Sequence, residues 1–308
     1  MSFVCRFAPS PNGPLHLGHA FSALVNHRAA EVSGGRFLVR IEDVDTERAR
    51  PEFEAGILTD LDWLGCPPSE PPIRQSDRLA DYAAALARLE AEGLVYPAFE
   101  SRAEISRAAI HRELAGSWPR DPDGVPLYPF RRQEIPDEER QRRRDSGAPY
   151  VLRLDMARAV GRVGTIYWQE AQGNPLGRPV SVTADPLAWG DVVVARKDAP
   201  ASYHLACVLD DAAQGVTHVI RGRDLFQATS IHRLLQELLG MPAPVYHHHR
   251  LILDIDGKKL AKSSGARSLA TFRSTGATPD DIRRLINLPP RSARAEPEPQ
   301  DAEGSPAA

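Results

Sequence analysis

The first ninety residues alternate between two kinds of hydrophobic pattern, and that alternation leaves few folds open. FVCRFA is a short continuous apolar run of the kind a buried strand needs, and PSPNGP after it is a turn. Residues 16 to 32 then carry apolar side chains at helical spacing. GRFLVRIED returns to a strand and runs into a cluster of acids, and residues 51 to 65 and 76 to 93 are amphipathic helices. Strand, helix, strand, helix in that order predicts a parallel sheet with helices on its faces.

From about Pro97 to Pro149 the pattern breaks. Prolines, a DPDG turn and the run DEERQRRRD suggest an inserted lobe with short helices; acids and bases nearly balance there, as on a solvated helix face. The strand-like segments VLRLD, VVVAR, ASYHLACVLD and VTHVIRG resume the alternation, and SIHRLLQELLG reads as a helix closed by Gly240. The expected division is 1–96 for the first half of the main domain, 97–149 for the lobe and 150–240 for the second half. A lysine-rich loop and short helical region follow at 241–288, and 289–308 has the composition of a disordered tail.

Apolar residues make up 42% of the 308 and charged residues 26%, the proportions of an ordinary globular protein. No apolar run approaches the ~18 residues of a membrane span, and the N-terminus lacks a signal-peptide core. Three scattered cysteines (Cys5, Cys66, Cys207) fit neither a disulfide framework nor a zinc knuckle, so the expected location is the cytoplasm. With a net charge of −3, any nucleic-acid surface has to be a local patch. Lysine usage is sharper: the chain has four lysines against 34 arginines, and Lys258, Lys259 and Lys262 share the five residues KKLAK. A compact mobile charge, rather than a planar fork, is wanted there.

The proline-rich turn leads into a helix start, where N–H groups without intrahelical acceptors attract anions. His16 and His19 stand three apart on that first turn, with Gly18 between them leaving the backbone open to close approach.

HLGH (16–19) and, some 240 residues later, KLAKS (259–263) together resemble the two signatures of the class I aminoacyl-tRNA synthetases. RFAPSPNGPLHLGH, VRIEDVD and YHLACVLDDAAQGVTHVIRGRDL resemble the glutamyl branch, over a stretch from about Ser2 to Leu288. The resemblance implies an α/β fold: a Rossmann-type parallel-sheet catalytic domain with an inserted small lobe and a short C-terminal helical region. It also implies ATP as a substrate, with Mg²⁺, gripped by His16, Gly18 and His19 on one side and by Lys259 and Lys262 on the other. Arg6, Phe7, Ala8, Pro9, Ser10, Glu42, Tyr203 and Arg221 would then line a pocket for L-glutamate. The residue types suit it: either arginine can bind either carboxylate through paired charge-assisted hydrogen bonds, and Glu42 can meet the ammonium. The dehydrogenase alternative fails, because no GxGxxG follows the first strand.

Only about 25 ordered-looking residues follow Ser263, where glutamyl enzymes carry a large helical anticodon-reading domain. The resemblance is therefore to the group that activates glutamate without tRNA and attaches it to the queuosine base in the anticodon loop of tRNA(Asp). The alternatives are a truncated enzyme charging the 3′ end of tRNA(Glu), or a non-catalytic binding module on the same fold. Many relatives hold zinc in the lobe; here Ala98 and Glu100 stand where cysteines would, and Tyr128 has no cysteine after it, so no zinc is expected. Packing by Phe99, Trp118 and Phe130 would stiffen the lobe instead.

Overall fold

The computed structural model describes residues 2–45, 47–196, 200–253 and 267–290. β1 (Val4–Phe7), α1 (Leu17–Val32), β2 (Arg36–Ile41) and α2 (Pro51–Leu64) follow the predicted alternation; a two-residue β3 (Ile73–Arg74), absent from the sequence reading, precedes α3 (Leu79–Ala91). Next come β4 (Val95–Ala98), α4 (Arg102–Ala115), α5 (Asp137–Asp145), β5 (Val151–Leu154), α6 (Met156–Val163), β6 (Tyr167–Ala171), β7 (Pro179–Thr183) and β8 (Val193–Arg196). The chain continues through α7 (Tyr203–Ala213), β9 (His218–Gly222), α8 (Thr229–Leu239), β10 (Val245–His249), α9 (Leu269–Ser274) and α10 (Pro279–Leu285). No described helix is long and apolar enough to cross a membrane.

β1, β2 and β3 pair in parallel, as do β9, β10 and β6, with β7 added antiparallel at the edge. The two sets meet at β1 and β9. There the Thr217 N–H donates to the Val4 carbonyl at 2.9 Å, and the Val4 N–H to Thr217 Oγ1 at 2.9 Å. Neighbouring strands fan away in opposite directions from this line, which opens a crevice at the strands' carboxyl ends.

Side chains alternate across a strand, and here that sorts core from site. Cys5, Phe7, Phe37, Val39 and Ile41 join one hydrophobic cluster with α1 and α2. Arg6, Arg40 and, just beyond the strand, Glu42 fall on the other face, which α7 covers.

That helix corrects the sequence reading. ASYHLACVLD was expected as a strand, yet Tyr203–Ala213 is α-helical, with Ser202 accepting from the Leu205 N–H at 3.4 Å. Leu205 to Asp211 are all buried, so the apolar run shows no exposed stripe by which its period could be read.

β4, β5 and β8 form a separate antiparallel sheet beside the inserted residues. Two of its strands come from beyond Pro149, so the sheet ties together residues from both sides of the 97–149 stretch. The charged run forms α5, but it is not wholly solvated: Arg140 is buried, its guanidinium 4.7 Å from the Tyr96 ring centroid and bonded to the Pro97 and Arg132 carbonyls. Phe99 packs on Tyr150, Phe130 on Tyr128, and the Trp118 indole N–H donates to the Leu127 carbonyl at 2.9 Å. At the positions compared with zinc ligands, the Tyr128 hydroxyl donates to Glu100, and the Arg153 guanidinium lies 3.6 Å from the Tyr128 ring centroid.

Candidate active site where the half-sheets meet

A cavity of about 690 Å³ opens at the ends of β1, β9 and β10. It is lined by Arg6, Phe7, Ala8, Pro9, Ser10, His16, Gly18, His19, Glu42, Tyr203 and Arg221, which are all the candidate residues named from sequence apart from Lys259 and Lys262. Both lysines lie outside the described residues. What flanks their segment is clear: Arg250, Leu251 and Ile252 line the cavity before it, while Ser268 after it bridges to His16 and the Leu269 N–H donates to the Leu15 carbonyl at 2.8 Å.

His16 is the cap of α1. Its Nδ1 accepts from the Gly18 N–H at 3.1 Å, and its own N–H donates to His19 Nδ1 at 3.2 Å, with the two rings 3.8 Å apart. A backbone N–H can only donate, so both Nδ1 atoms are bare and each neutral ring carries its proton on Nε2. Capping therefore fixes the tautomer that suits an anion. Gly18 lines the cavity, and its bare Cα has a second use. A Cβ there would come within 3.0 Å of His16 Cε1, so the missing side chain makes room for the capping imidazole.

At the opposite end, α7 lays Cys207, Asp210 and Asp211 on the sheet, positions that share a helix face. Asp211 Oδ1 accepts from Arg6 Nε at 2.8 Å and from Arg40 Nη1 at 2.6 Å. Burial opposes its charge, but the two guanidinium groups outweigh that and hold its pKa down to about 2. Arg40 reaches Glu42 at 3.3 Å, and Asp210 accepts from Gln75, Arg78 and Tyr82. Burial pushes the Glu42 carboxyl up, against the pull of Arg40 and Arg6. An ammonium from a ligand would favour its charged form.

The two arginines expected to bind glutamate are not equivalent. Arg6 commits Nε to Asp211 and one Nη2 hydrogen to the Cys207 sulfur at 3.6 Å, which keeps donors on both terminal nitrogens for a two-point grip. Arg221 donates from Nε to His248 Nε2, from Nη1 to His232 Nδ1, and from Nη2 to the Leu225 carbonyl and Thr229 Oγ1, at 2.8 to 3.1 Å. Of five N–H groups it retains one, so a single donor remains where paired bonds were expected.

Sequence reasoning missed Arg40, Asp211, His232 and His248. For Arg40 the signal was present: R and E two apart in LVRIE share a strand face with Arg6. For Asp211 it was the helical period hidden by complete burial. His232 gave none, since it looks like any polar position of an amphipathic helix. His248 stands in the run HHH at 247–249, where the repeated residue type does not say which ring turns toward Arg221.

A second cleft of about 670 Å³ runs between body and lobe and shares Ser10, Glu42 and Tyr203 with the first. Its walls include Arg153 and Trp189, whose buried indole N–H has no acceptor among the described residues. Those residues gather no group of three or more His, Cys, Asp or Glu side chains able to hold a metal.

Fold and cavity together define a nucleotide-dependent synthetase domain: the chain belongs to the family described as tRNA synthetases class I (E and Q), catalytic domain, which it matches over residues 2–295. Among its relatives, the Glutamyl-Q tRNA(Asp) synthetase of Rhodobacter capsulatus is 49% identical over 292 residues, 92% of this chain and the whole of that protein. The Glutamate--tRNA ligase of a Synechococcus species is 36% identical over 94% of this chain but 57% of the ligase. A crystal structure of a glutamate tRNA ligase from Elizabethkingia meningosepticum, in complex with its amino acid, superposes with a TM-score of 0.72 at 29% identity, covering 91% of this chain and 59% of that one.

Proposed function

We propose that the cavity activates L-glutamate with ATP, without tRNA, and that the glutamyl group is then transferred to the queuosine base in the anticodon loop of tRNA(Asp). Supporting this reading is one conjunction: Arg6, Arg221 and the partly buried Glu42 beside a histidine-capped helix start, in a chain 49% identical to a glutamyl-Q tRNA(Asp) synthetase across that relative's full length.

The α-carboxylate attacks the α-phosphorus of ATP; an O–P bond forms and pyrophosphate leaves. A queuosine hydroxyl then attacks the glutamyl carbonyl, its proton departs and AMP is released. No protein nucleophile is needed, and the work is positioning and charge neutralisation. His16 and His19 hold the phosphates through Nε2–H, and Lys259 and Lys262 close from the other side. Arg6 takes one carboxylate with two bonds, Arg221 the other with one, and Glu42 with Tyr203 meets the ammonium end. Mg²⁺ arrives with the nucleotide as part of the substrate. The second cleft, opening onto the first at Glu42 and Tyr203, admits the acceptor nucleoside.

The test is glutamate-dependent ATP–pyrophosphate exchange without tRNA. Lys262→Ala should lower the rate about 10²- to 10³-fold, the usual effect of removing one transition-state donor. Mass spectrometry of the tRNA(Asp) anticodon fragment should then show added glutamate. Robust 3′ charging of unmodified tRNA(Glu) would replace this reading with that of a glutamate–tRNA ligase.

A further inference from the structure

We propose that His232 and His248 are positioning residues for Arg221: both rings accept hydrogen bonds from its guanidinium and so aim its one uncommitted N–H at a carboxylate of the amino acid. The inference rests on reading Arg221 as a glutamate ligand, and it adds what holds that ligand in place.

A guanidinium only donates, so every ring nitrogen facing it must be bare. His248 Nε2 accepts from Arg221 Nε at 3.1 Å, which puts the ring proton on Nδ1, opposite Glu170 at 3.0 Å. Glu170 also accepts from the His248 backbone N–H at 2.9 Å and the Trp168 indole at 3.1 Å, so its carboxylate is anchored from three sides. His232 Nδ1 accepts from Arg221 Nη1 at 3.0 Å, which puts that ring's proton on Nε2, directed at His204 Nδ1 at 3.1 Å. The order Glu170, His248, Arg221, His232, His204 thus has one consistent set of protons, and both rings touching Arg221 are neutral in it. With Leu225 and Thr229 taking Nη2, the remaining donor is the second hydrogen of Nη1, beside the ring that His232 fixes.

Protonating either ring would set N–H against N–H and release the guanidinium. The surroundings oppose that. His232 faces Arg221 on β9 and His204 and Tyr203 on α7; His248 faces Glu170 on β6, Arg221 on β9 and Phe226 before α8. Burial holds His232 well below the usual imidazole range and His248 below it, with Arg221 adding to both effects.

The decisive experiment measures KM for glutamate and for ATP in the exchange reaction, from pH 5.5 to 8.5, on the full chain and its variants. His232→Leu should raise glutamate KM at least about tenfold while kcat and ATP KM stay close to those of the unsubstituted protein, the pattern of lost ground-state binding. His232→Asn, whose Oδ1 can accept near the position of Nδ1, should recover most of the loss. In the unsubstituted protein, glutamate KM and ATP KM should both stay flat across this range, because both rings remain neutral in it. If Arg221→Ala raises glutamate KM but His232→Leu does not, or if Asn is no better than Leu, the positioning role is overturned. If Arg221→Ala leaves glutamate KM unchanged, the ligand reading itself fails. Should His232→Leu not fold, His232→Gln, whose acceptor lies nearer the place of Nε2 than of Nδ1, takes its part: a glutamate KM equal to that of the Asn variant overturns the proposal.

Discussion

At the scale of single residues, the cavity is built from side chains that each have two tasks. His16 ends a helix and presents a proton on Nε2; Arg6 binds Asp211 and keeps its terminal nitrogens for a ligand. Gly18 makes the first of these possible, and Gly18→Ala separates the two tasks. A methyl 3.0 Å from His16 Cε1 and 3.2 Å from Nδ1 requires the imidazole to shift by a few tenths of an ångström against its cap. Loosening the cap costs up to about 1 kcal/mol. Alanine in place of glycine inside a helix returns about 0.5–1 kcal/mol. Stability should therefore barely change, while ATP KM rises about tenfold as the Nε2 donor turns away. Urea midpoints measured beside exchange kinetics check this, and a large stability loss with normal ATP KM would contradict it.

Among the elements, α7 carries the most. It covers the sheet face that holds Arg6, Arg40 and Glu42, and it brings Tyr203 into both clefts. Its start depends on Ser202, which receives the Leu205 N–H at 3.4 Å, a long bond. Ser202→Ala should accordingly cost toward the low end of the usual capping range, about 0.5–1 kcal/mol. The first turn carries Tyr203, so the kinetic effect should be selective: glutamate KM rises and ATP KM does not. Denaturation midpoints with paired KM values read both halves. α8 is closed by Gly240 at φ +66°, which fits the C-cap expected from sequence, and its buried face sets His232 against Arg221.

For the whole molecule, the internal charge pattern sets a pH range. Burial depresses His204 and His249 to about 4, and His232 and His248 are lowered as well. The native state keeps these rings neutral while the unfolded chain takes up protons below about pH 6.5, so stability falls as pH falls from there toward the depressed values. At pH 5 a ring held at about 4 costs on the order of 2 kcal/mol. Two such rings should lower Tm by roughly 5–10 °C between pH 7.5 and 5. Asp211 acts later: its contribution is present above the usual carboxylate range and disappears as pH drops through about 2. Scanning calorimetry across these pH values tests the order, and a flat Tm from 7.5 to 5 would refute it. By itself the sequence determined the opening strand–helix alternation, the capped helix start with His16 and His19, and the arginines and Glu42 of the cavity, because local periodicity and short motifs carry that information. The helical state of α7, the buried Arg140 in a charged run and the acceptors around Arg221 were decided only by the tertiary structure. Each depends on what a distant segment places opposite: full burial erases the period that marks a helix, and a ring's proton sits where a partner some ten to eighty residues away allows it.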